Sequence, residues 1–145
     1  MGMGTEWRET LSCLDRISAD QRGAGTVTTG WHIVYGYGSI TALVNVGEIA
    51  SGGTFDCKIE QATDASGTGA KALLNATQLG DTDDDSDIIM TARYAGLDLG
   101  GGFGYVRLSC TVAGANVDYS AGFFRYWTQA PAMAELDAAA VVENI

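Results

Sequence analysis

The feature that most constrains the fold of this chain is a strict alternation of apolar and polar residues between Thr54 and Gln61. Phe55, Cys57 and Ile59 occupy every second position, and charged residues fill the positions between them. Successive side chains of a β-strand point to opposite faces, so this pattern predicts a strand with one buried face and one wet face. A chain built on such strands must bury that apolar face against a second layer.

Further runs rich in β-branched and aromatic residues flank this strand, and turn residues separate them. The chain holds 20 glycines and a single proline, which suits a sheet protein with many short connections. No pattern of helix length lies between the runs, so a parallel α/β sheet is disfavoured. We therefore predict an all-β protein, an antiparallel β-sandwich or jelly roll of about seven or eight strands. The remaining predicted strands are Trp31–Tyr35, Ile40–Val46, Lys71–Leu79, Ile88–Tyr94, Tyr105–Val112 and Tyr119–Trp127.

The 145 residues fit one domain, which we place at residues 26–130, with an arm on either side. Residues 1–25 are predicted to be an N-terminal arm, either extended or a short amphipathic helix, because apolar residues recur there at helical spacing. Residues 131–145 are predicted to be a C-terminal arm or a short helix, since they are rich in Ala and Glu. The apolar residues at helical spacing are Trp7, Leu11, Leu14 and Ile17.

The charge balance restricts the partners. There are 18 acidic and 8 basic residues, a formal net charge of −10. Such a chain lacks the cationic surface that binds phosphates, so we expect neither a nucleic-acid nor a membrane partner. No basic segment followed by an apolar run marks a signal peptide, and no apolar stretch approaches the roughly 20 residues of a membrane span. We therefore expect synthesis in the cytoplasm.

Catalytic chemistry finds little support in these residues. His32 is the only histidine, and no G-x-S-x-G motif supplies a nucleophile for it. The three cysteines form no C-x-x-C pair, and Cys57 and Cys110 fall in phase with apolar neighbours, as core residues do. We predict no enzyme: no catalytic residues, no cofactor and no metal site.

The acidic cluster from Asp81 to Asp87 is the feature most like a metal site. Alternate aspartates can ligate calcium, but the sixth and twelfth positions of an EF-hand loop would be Ser86 and Ala92 here. The pattern favours a solvated acidic loop between two strands and leaves calcium binding open. The glycines of residues 100–104 precede a strand rather than open a helix, so they indicate a flexible connection and not a nucleotide loop.

Aromatic and basic residues supply candidates for an interface. Alternation cannot bury all four aromatic residues at positions 123, 124, 126 and 127, so some face outward or meet a partner. Three arginines in an acidic chain are further candidates, and we expect at least one to be buried in an ion pair or an interface. The candidate interface residues are Trp7, Leu11, Leu14, Arg93, Arg107, Arg125, Tyr126 and Trp127.

A resemblance to a known family rests on four segments. They are EIASGGTFDCKIEQATDASGTGAKAL (Glu48 to Leu73), AGTVTTGWH before it, and YVRLSCTV and FFRYWTQAPA after it. From about Asp15 to Pro131 the chain resembles small head proteins of tailed bacteriophages. The resemblance implies a capsid decoration, or cement, protein: a β-sandwich, often a homotrimer, that binds the major capsid protein on the outside of the virion. It carries no catalytic residues over to this chain.

Two other functions fit the residues. A carbohydrate-binding β-sandwich would use Trp31, Tyr126 or Trp127 as a platform on which a sugar stacks. A tail protein or head–tail connector would also be a virion component, but it would close into a ring of higher order.

Overall fold

A computed structural model describes residues 11–34, 38–126 and 139–144. These residues form eleven strands and two short 3₁₀ turns, Tyr94–Gly96 and Leu99–Gly101. All strand pairs are antiparallel, and the strands divide into two sheets that face each other. The β-sandwich predicted from the sequence is therefore confirmed.

Sheet A has five strands in the order β1-β10-β4-β8-β11. Its strands are β1 (Leu11–Arg22), β4 (Ser39–Ile49), β8 (Ser86–Arg93), β10 (Val117–Tyr126) and β11 (Ala139–Asn144).

Sheet B has a main path of four strands in the order β2-β9-β5-β6, and two short strands lie off this path. The added strands β3 and β7 pair with β9 and β5. Its strands are β2 (Gly25–Thr28), β3 (His32–Ile33), β5 (Thr54–Ala62), β6 (Lys71–Asn75), β7 (Leu79–Gly80) and β9 (Tyr105–Ala113).

The order of strands is that of a jelly roll. Taken along the chain, β1 pairs with β10, β2 with β9, β4 with β8 and β5 with β6. The pairs β10–β4 and β9–β5 then join these ladders into two four-stranded layers. Nested pairing of eight strands, first with last, is the jelly-roll topology. Strand β11 extends sheet A beyond this set of eight.

The core lies between the two sheets and is built by alternation. In β5 the apolar residues predicted to be inside, Phe55, Cys57 and Ile59, are all buried. Sheet A contributes the facing layer, and the rings of Phe55 and Tyr119 lie 4.7 Å apart between the centroids. The largest fully buried side chains are Phe55, Phe123, Ile40, Ile59, Ile88, Met90 and Leu108.

The predicted N-terminal arm is partly wrong, because residues 11–22 are strand β1 of the sandwich. Their helical spacing has a structural cause. The register of β1 on β10 shifts between Cys13 and Asp15, so one extra residue enters the strand there. Such a bulge lets Leu14 and Ile17, three positions apart, both pack against the core. Trp7 lies outside the described residues.

The predicted C-terminal helix is also wrong where the structure describes the segment. Residues 139–144 form β11 and pair with β8 from Ala139 opposite Thr91 to Asn144 opposite Ser86. Pairing with an open strand edge outweighs the helical propensity of a short Ala-rich segment, which is marginal by itself in water. Residues 131–138 lie outside the described ranges.

The single strand predicted over Lys71–Leu79 is divided into β6 and β7.

Candidate functional site

The outer face of sheet A carries an exposed apolar patch. Leu43 of β4 and Ile89 of β8 lie directly opposite each other and are 44% and 38% exposed. One row along, Thr41 and Thr91 are also opposed, and their hydroxyls are hydrogen-bonded at 3.1 Å. Together with Phe124 of β10, which pairs with Thr41, these residues form a surface that we call the sheet A patch. Residues that cover apolar area without charge are suited to contact another protein.

Gly122 makes room for Phe124 within this patch. A Cβ on Gly122 would come within 2.7 Å of the Phe124 ring, so the ring lies across the glycine. Gly122 in turn pairs with Leu43, which brings the ring beside the exposed leucine. Phe123, the next residue back, is fully buried on the other face. The aromatic run therefore divides between core and surface, as alternation predicts.

Several of the predicted interface residues meet in one row at the edge of the patch. Leu11 lies opposite Tyr126, Tyr126 opposite Ser39, and Ser39 opposite Arg93. The Nη2 atom of Arg93 is buried, and no hydrogen-bond acceptor reaches it from the described residues. Arg125 directly precedes Tyr126 in β10, and its Nη1 donates to the Ile33 carbonyl oxygen.

The opposite end of this face is acidic. Asn45 donates to the Asp87 carboxylate at 2.6 Å, and Asp118 lies nearby on β10. Asp118 and Asp20 line a shallow groove of about 470 Å³ beside the register shift of β1. Arg93 lies toward the other end of β8, whereas Arg16 is opposite Gly122, in the row of Leu43 and Ile89. A partner must complement these charges.

Arg107 and Leu14 do not belong to this surface. Arg107 lies on sheet B, where its Nε donates to Glu60 Oε1 at 2.9 Å, and the Glu60 side chain is only 10% exposed. Lys58 adds a second cation at 3.4 Å from the same carboxylate. Arg107 therefore lies in an ion pair, but its side chain is 28% exposed, so it is not the buried arginine that the sequence predicts. Leu14 packs against the core. The side chain of Leu11 and the whole of Trp127 lie outside what the structure describes.

Trp31 is the residue that a sugar-binding site would use, and its ring is already in contact on sheet B. The Arg107 guanidinium lies over it, with Cζ 4.5 Å from the ring centroid. Gly67 approaches its edge so closely that a Cβ there would come within 2.6 Å of the indole Nε1. A sugar needs a free aromatic face on which to stack. The contact with Arg107 leaves at most one face of Trp31 for that purpose.

The acidic cluster is a largely exposed loop, as predicted, and its carboxylates also hold the loop in place. Asp84 Oδ1 accepts from the Ile49 N–H at 2.8 Å, and Asp81 Oδ2 accepts from the Gly52 N–H at 2.7 Å. Asp83 accepts from the Gly80 N–H within its own turn. These bonds hold the loop between β7 and β8 against the turn between β4 and β5. Within the described ranges, no three His, Cys, Asp or Glu side chains are grouped to hold a metal ion.

His32 forms a contact between strands and has no nucleophile beside it among its described partners. Its Nε2 lies 2.9 Å from Asp15 Oδ2, which also accepts from the Gly30 N–H. Burial alone would raise the pKa of Asp15, but the hydrogen bonds from His32, Gly30 and Arg16 outweigh it and hold the pKa below its ordinary value of 3.8. This pair connects β1 to β3.

Two of the cysteines are core residues, as predicted. Cys57 and Cys110 are buried and lie opposite each other in β5 and β9. Burial raises the pKa of Cys57 to about 12 and raises the pKa of Cys110 further still. Both thiols are therefore protonated at neutral pH and unreactive. Cys13 is exposed.

The sequence reasoning missed Leu43, Ile89 and the two threonines between them and the edge of the sheet. A signal was present. In the apolar run Ile40–Val46 the even-numbered positions are buried and Leu43 points outward, and Ile88 and Ile89 are adjacent, so one of them must be exposed. Strict alternation applied to continuous apolar runs identifies these exposed positions.

No helix in the described ranges is long and apolar enough to cross a membrane.

Comparisons with known proteins show the fold. No protein-family model matches the chain, and no curated protein matches it either. The chain is similar to one in the structure of the infectious bursal disease virus Gx strain, with a TM-score of 0.55 and 12% identity. That match covers 100% of this chain and 41% of that one, so this chain spans about two fifths of its length. A chain of the Gt strain matches at a TM-score of only 0.31 with 12% identity, over 97% of this chain and 50% of that one.

Proposed function

We propose that this protein is a non-enzymatic structural component of a virion. It is a decoration protein that binds the outside of a tailed-phage capsid, on the major capsid protein, and stabilises the expanded shell. The sheet A patch is the surface that makes this contact, and the protein acts as a homotrimer. The observation that carries the proposal is the exposed Leu43–Ile89 pair on the outer face of sheet A.

The fold supports a place in a virion. Jelly rolls of eight strands serve in viral capsid and lectin domains, so the topology favours these two classes without choosing between them. The likeness to a chain of infectious bursal disease virus, and the resemblance of the sequence to phage head proteins, both point to the first class. The contact between Trp31 and Arg107 reduces the support for the second.

The energetics suit docking by many weak contacts. A fully buried Leu, Ile or Phe side chain contributes about 1.5–3 kcal/mol, and the partly covered side chains of the sheet A patch contribute about half of that. Such a surface gives one subunit modest affinity. A trimer that engages several capsid subunits at once gains from effective concentration, so that the assembled shell is bound far more tightly than a single subunit. Binding only the expanded lattice then stabilises that state by mass action.

Co-sedimentation with capsid shells tests this function. The purified protein is mixed with expanded and unexpanded shells assembled from the major capsid protein of its phage. We expect saturable binding to expanded shells alone. Absence of binding to either form contradicts the proposal, and equal binding to both contradicts the stabilisation of the expanded state. A stable six- or twelve-fold ring in solution would indicate a connector instead.

A further inference from the structure

Strand β11 lies outside the jelly roll that the other strands complete. The eight nested strands complete both layers of the sandwich without β11. Strand β11 extends sheet A through a single ladder of six residue pairs on β8. Six pairs of a ladder are enough to hold an extended segment at a sheet edge. The strand therefore behaves as a segment added to a finished domain.

The β8 edge needs such a cover, whereas the opposite edge of sheet A is covered by its own side chains. On β1, Asp15 Oδ1 accepts from the Arg16 N–H, and Arg22 donates to the carbonyls of Ser18 and Asp20. Without β11, β8 would present the unpaired backbone of a strand whose centre is Ile88-Ile89-Met90. An open apolar edge pairs readily with any other strand.

The connection to β11 is longer than its position on the same chain requires. Strands β4 and β8 separate β10 from β11, a distance of three strand spacings or about 14 Å. Residues 127–138 join Tyr126 to Ala139, and twelve residues can extend to roughly 40 Å. Connections in compact domains are typically about 4–6 residues long. The spare length allows β11 to reach the β8 edge of a neighbouring molecule.

We propose that in the oligomer β11 pairs with β8 of a second copy of this chain, so that neighbouring subunits exchange their last strand. The ladder is the same within one chain or between two, so the exchange loses no contacts. The chain's own β11 has an effective concentration of about millimolar order at its own β8. Exchange is favoured once the copies are held side by side, because the same ladder then also joins subunits. This inference concerns contacts between copies and does not depend on capsid binding.

A disulfide between two differently tagged chains tests the exchange. One chain carries Ile89→Cys and the other Val141→Cys, both in a Cys13→Ser background that removes the exposed thiol. Positions 89 and 141 are directly opposite in the ladder, where the Cα separation fits a disulfide. The two chains are co-expressed, purified through both tags and oxidised. Purification through both tags leaves mixed oligomers, and in a mixed trimer we expect about one β8–β11 site in three to join the two chains covalently.

The control replaces Ile89→Cys by Leu43→Cys, which lies one strand further from β11 and is too distant to be bridged. A double variant with both cysteines, Ile89→Cys and Val141→Cys, on one chain shows where the ladder forms. Exchange gives covalent oligomers of the double variant and a mixed disulfide with Ile89→Cys but not with Leu43→Cys. Closure within the monomer, no cross-link at all, or equal cross-linking of the control overturns the inference. Shell binding is measured separately, so failure of the exchange and failure of the capsid role are distinguishable.

Discussion

At the scale of single residues, the groups that look chemical in the sequence act as hydrogen-bond partners that hold loops and strands. Asp15 joins β1 to His32, and Asp84 joins one turn to another. The Glu60 carboxylate is paired with the side chains of Lys58 and Arg107 on sheet B. The candidate interface instead depends on exposed apolar side chains, above all those of Leu43 and Ile89.

The Asp15 pair makes stability depend on pH. Because the pKa of Asp15 is lowered in the folded state, its contribution is present above its ordinary value of 3.8 and is lost as the pH falls through the folded value. We expect Asp15→Asn to lower the free energy of unfolding by about 1 kcal/mol at pH 7, since the group is partly exposed. The difference from wild type should shrink below pH 4.

Urea unfolding at pH 7 and at pH 3 measures this difference. Asp20→Asn, on the same strand, removes the same charge without removing the bonds to His32 and Gly30 and serves as the control. A deficit of Asp15→Asn that persists unchanged at pH 3 would contradict the assignment.

Gly114 provides a prediction about a turn. It has a φ of +78°, and a Cβ there would overlap the carbonyl oxygen of Gly52 in the neighbouring turn. We expect Gly114→Ala to lower the free energy of unfolding by more than about 2 kcal/mol, because the backbone conformation and the overlap both oppose it. Gly102→Ala has the same positive φ in open space and should cost about 1 kcal/mol. Gly100→Ala, open and without positive φ, should change little; similar melting temperatures for all three would refute this explanation.

At the scale of elements, the sequence predicts those strands whose signal is local. The alternation of β5 fixes its buried face correctly, and the burial of Phe123 beside a partly exposed Phe124 follows from the same rule. Strands β1 and β11 were missed for different reasons. A bulge gave β1 the spacing of a helix, and β11 depends on the open edge of β8, a tertiary contact that no local pattern records.

The candidate site was predictable only in part. Arg93, Tyr126 and Leu11 were identified one by one, and pairing brings them into one row. Their meeting with Leu43 and Ile89 depends on the order of strands in sheet A, which the sequence alone does not state. Arg107 carried the same signal as Arg93, yet it lies on the other sheet, because residue type does not determine the sheet to which a strand belongs.

The acidic loop should act as a clamp between two turns. Asp84→Ala removes the acceptor of the Ile49 N–H, and we expect a loss of about 1 kcal/mol in the free energy of unfolding. Amide hydrogen exchange at Ile49 should become faster, while exchange in β9 should change only with global stability. Asp85→Asn removes one charge from the same loop at a residue with φ of 58°, which Asn tolerates. Equal exchange rates at Ile49 in both variants would contradict the clamp.

At the scale of the whole molecule, the sandwich has two unlike outer faces. Sheet B carries ion pairs and threonine hydroxyls, such as the Thr26–Thr111 pair, and its polar groups are bonded to one another. Sheet A carries the apolar patch, with Asp87 toward one end of β8 and Arg93 toward the other. The proposed docking surface is therefore the outer face of sheet A and not that of sheet B.

The most direct test of docking through sheet A compares two variants with the same new charge. Leu43→Asp places a carboxylate in the sheet A patch, and Thr28→Asp places one on the exposed outer face of sheet B. After melting temperatures confirm that both are folded, the fraction that co-sediments with expanded capsid shells is measured over a range of concentrations. We expect Leu43→Asp to weaken binding at least about tenfold, since the charge would lose water inside the contact, and Thr28→Asp to bind like the wild type. Normal binding by Leu43→Asp, or loss of binding by Thr28→Asp alone, would contradict docking through sheet A.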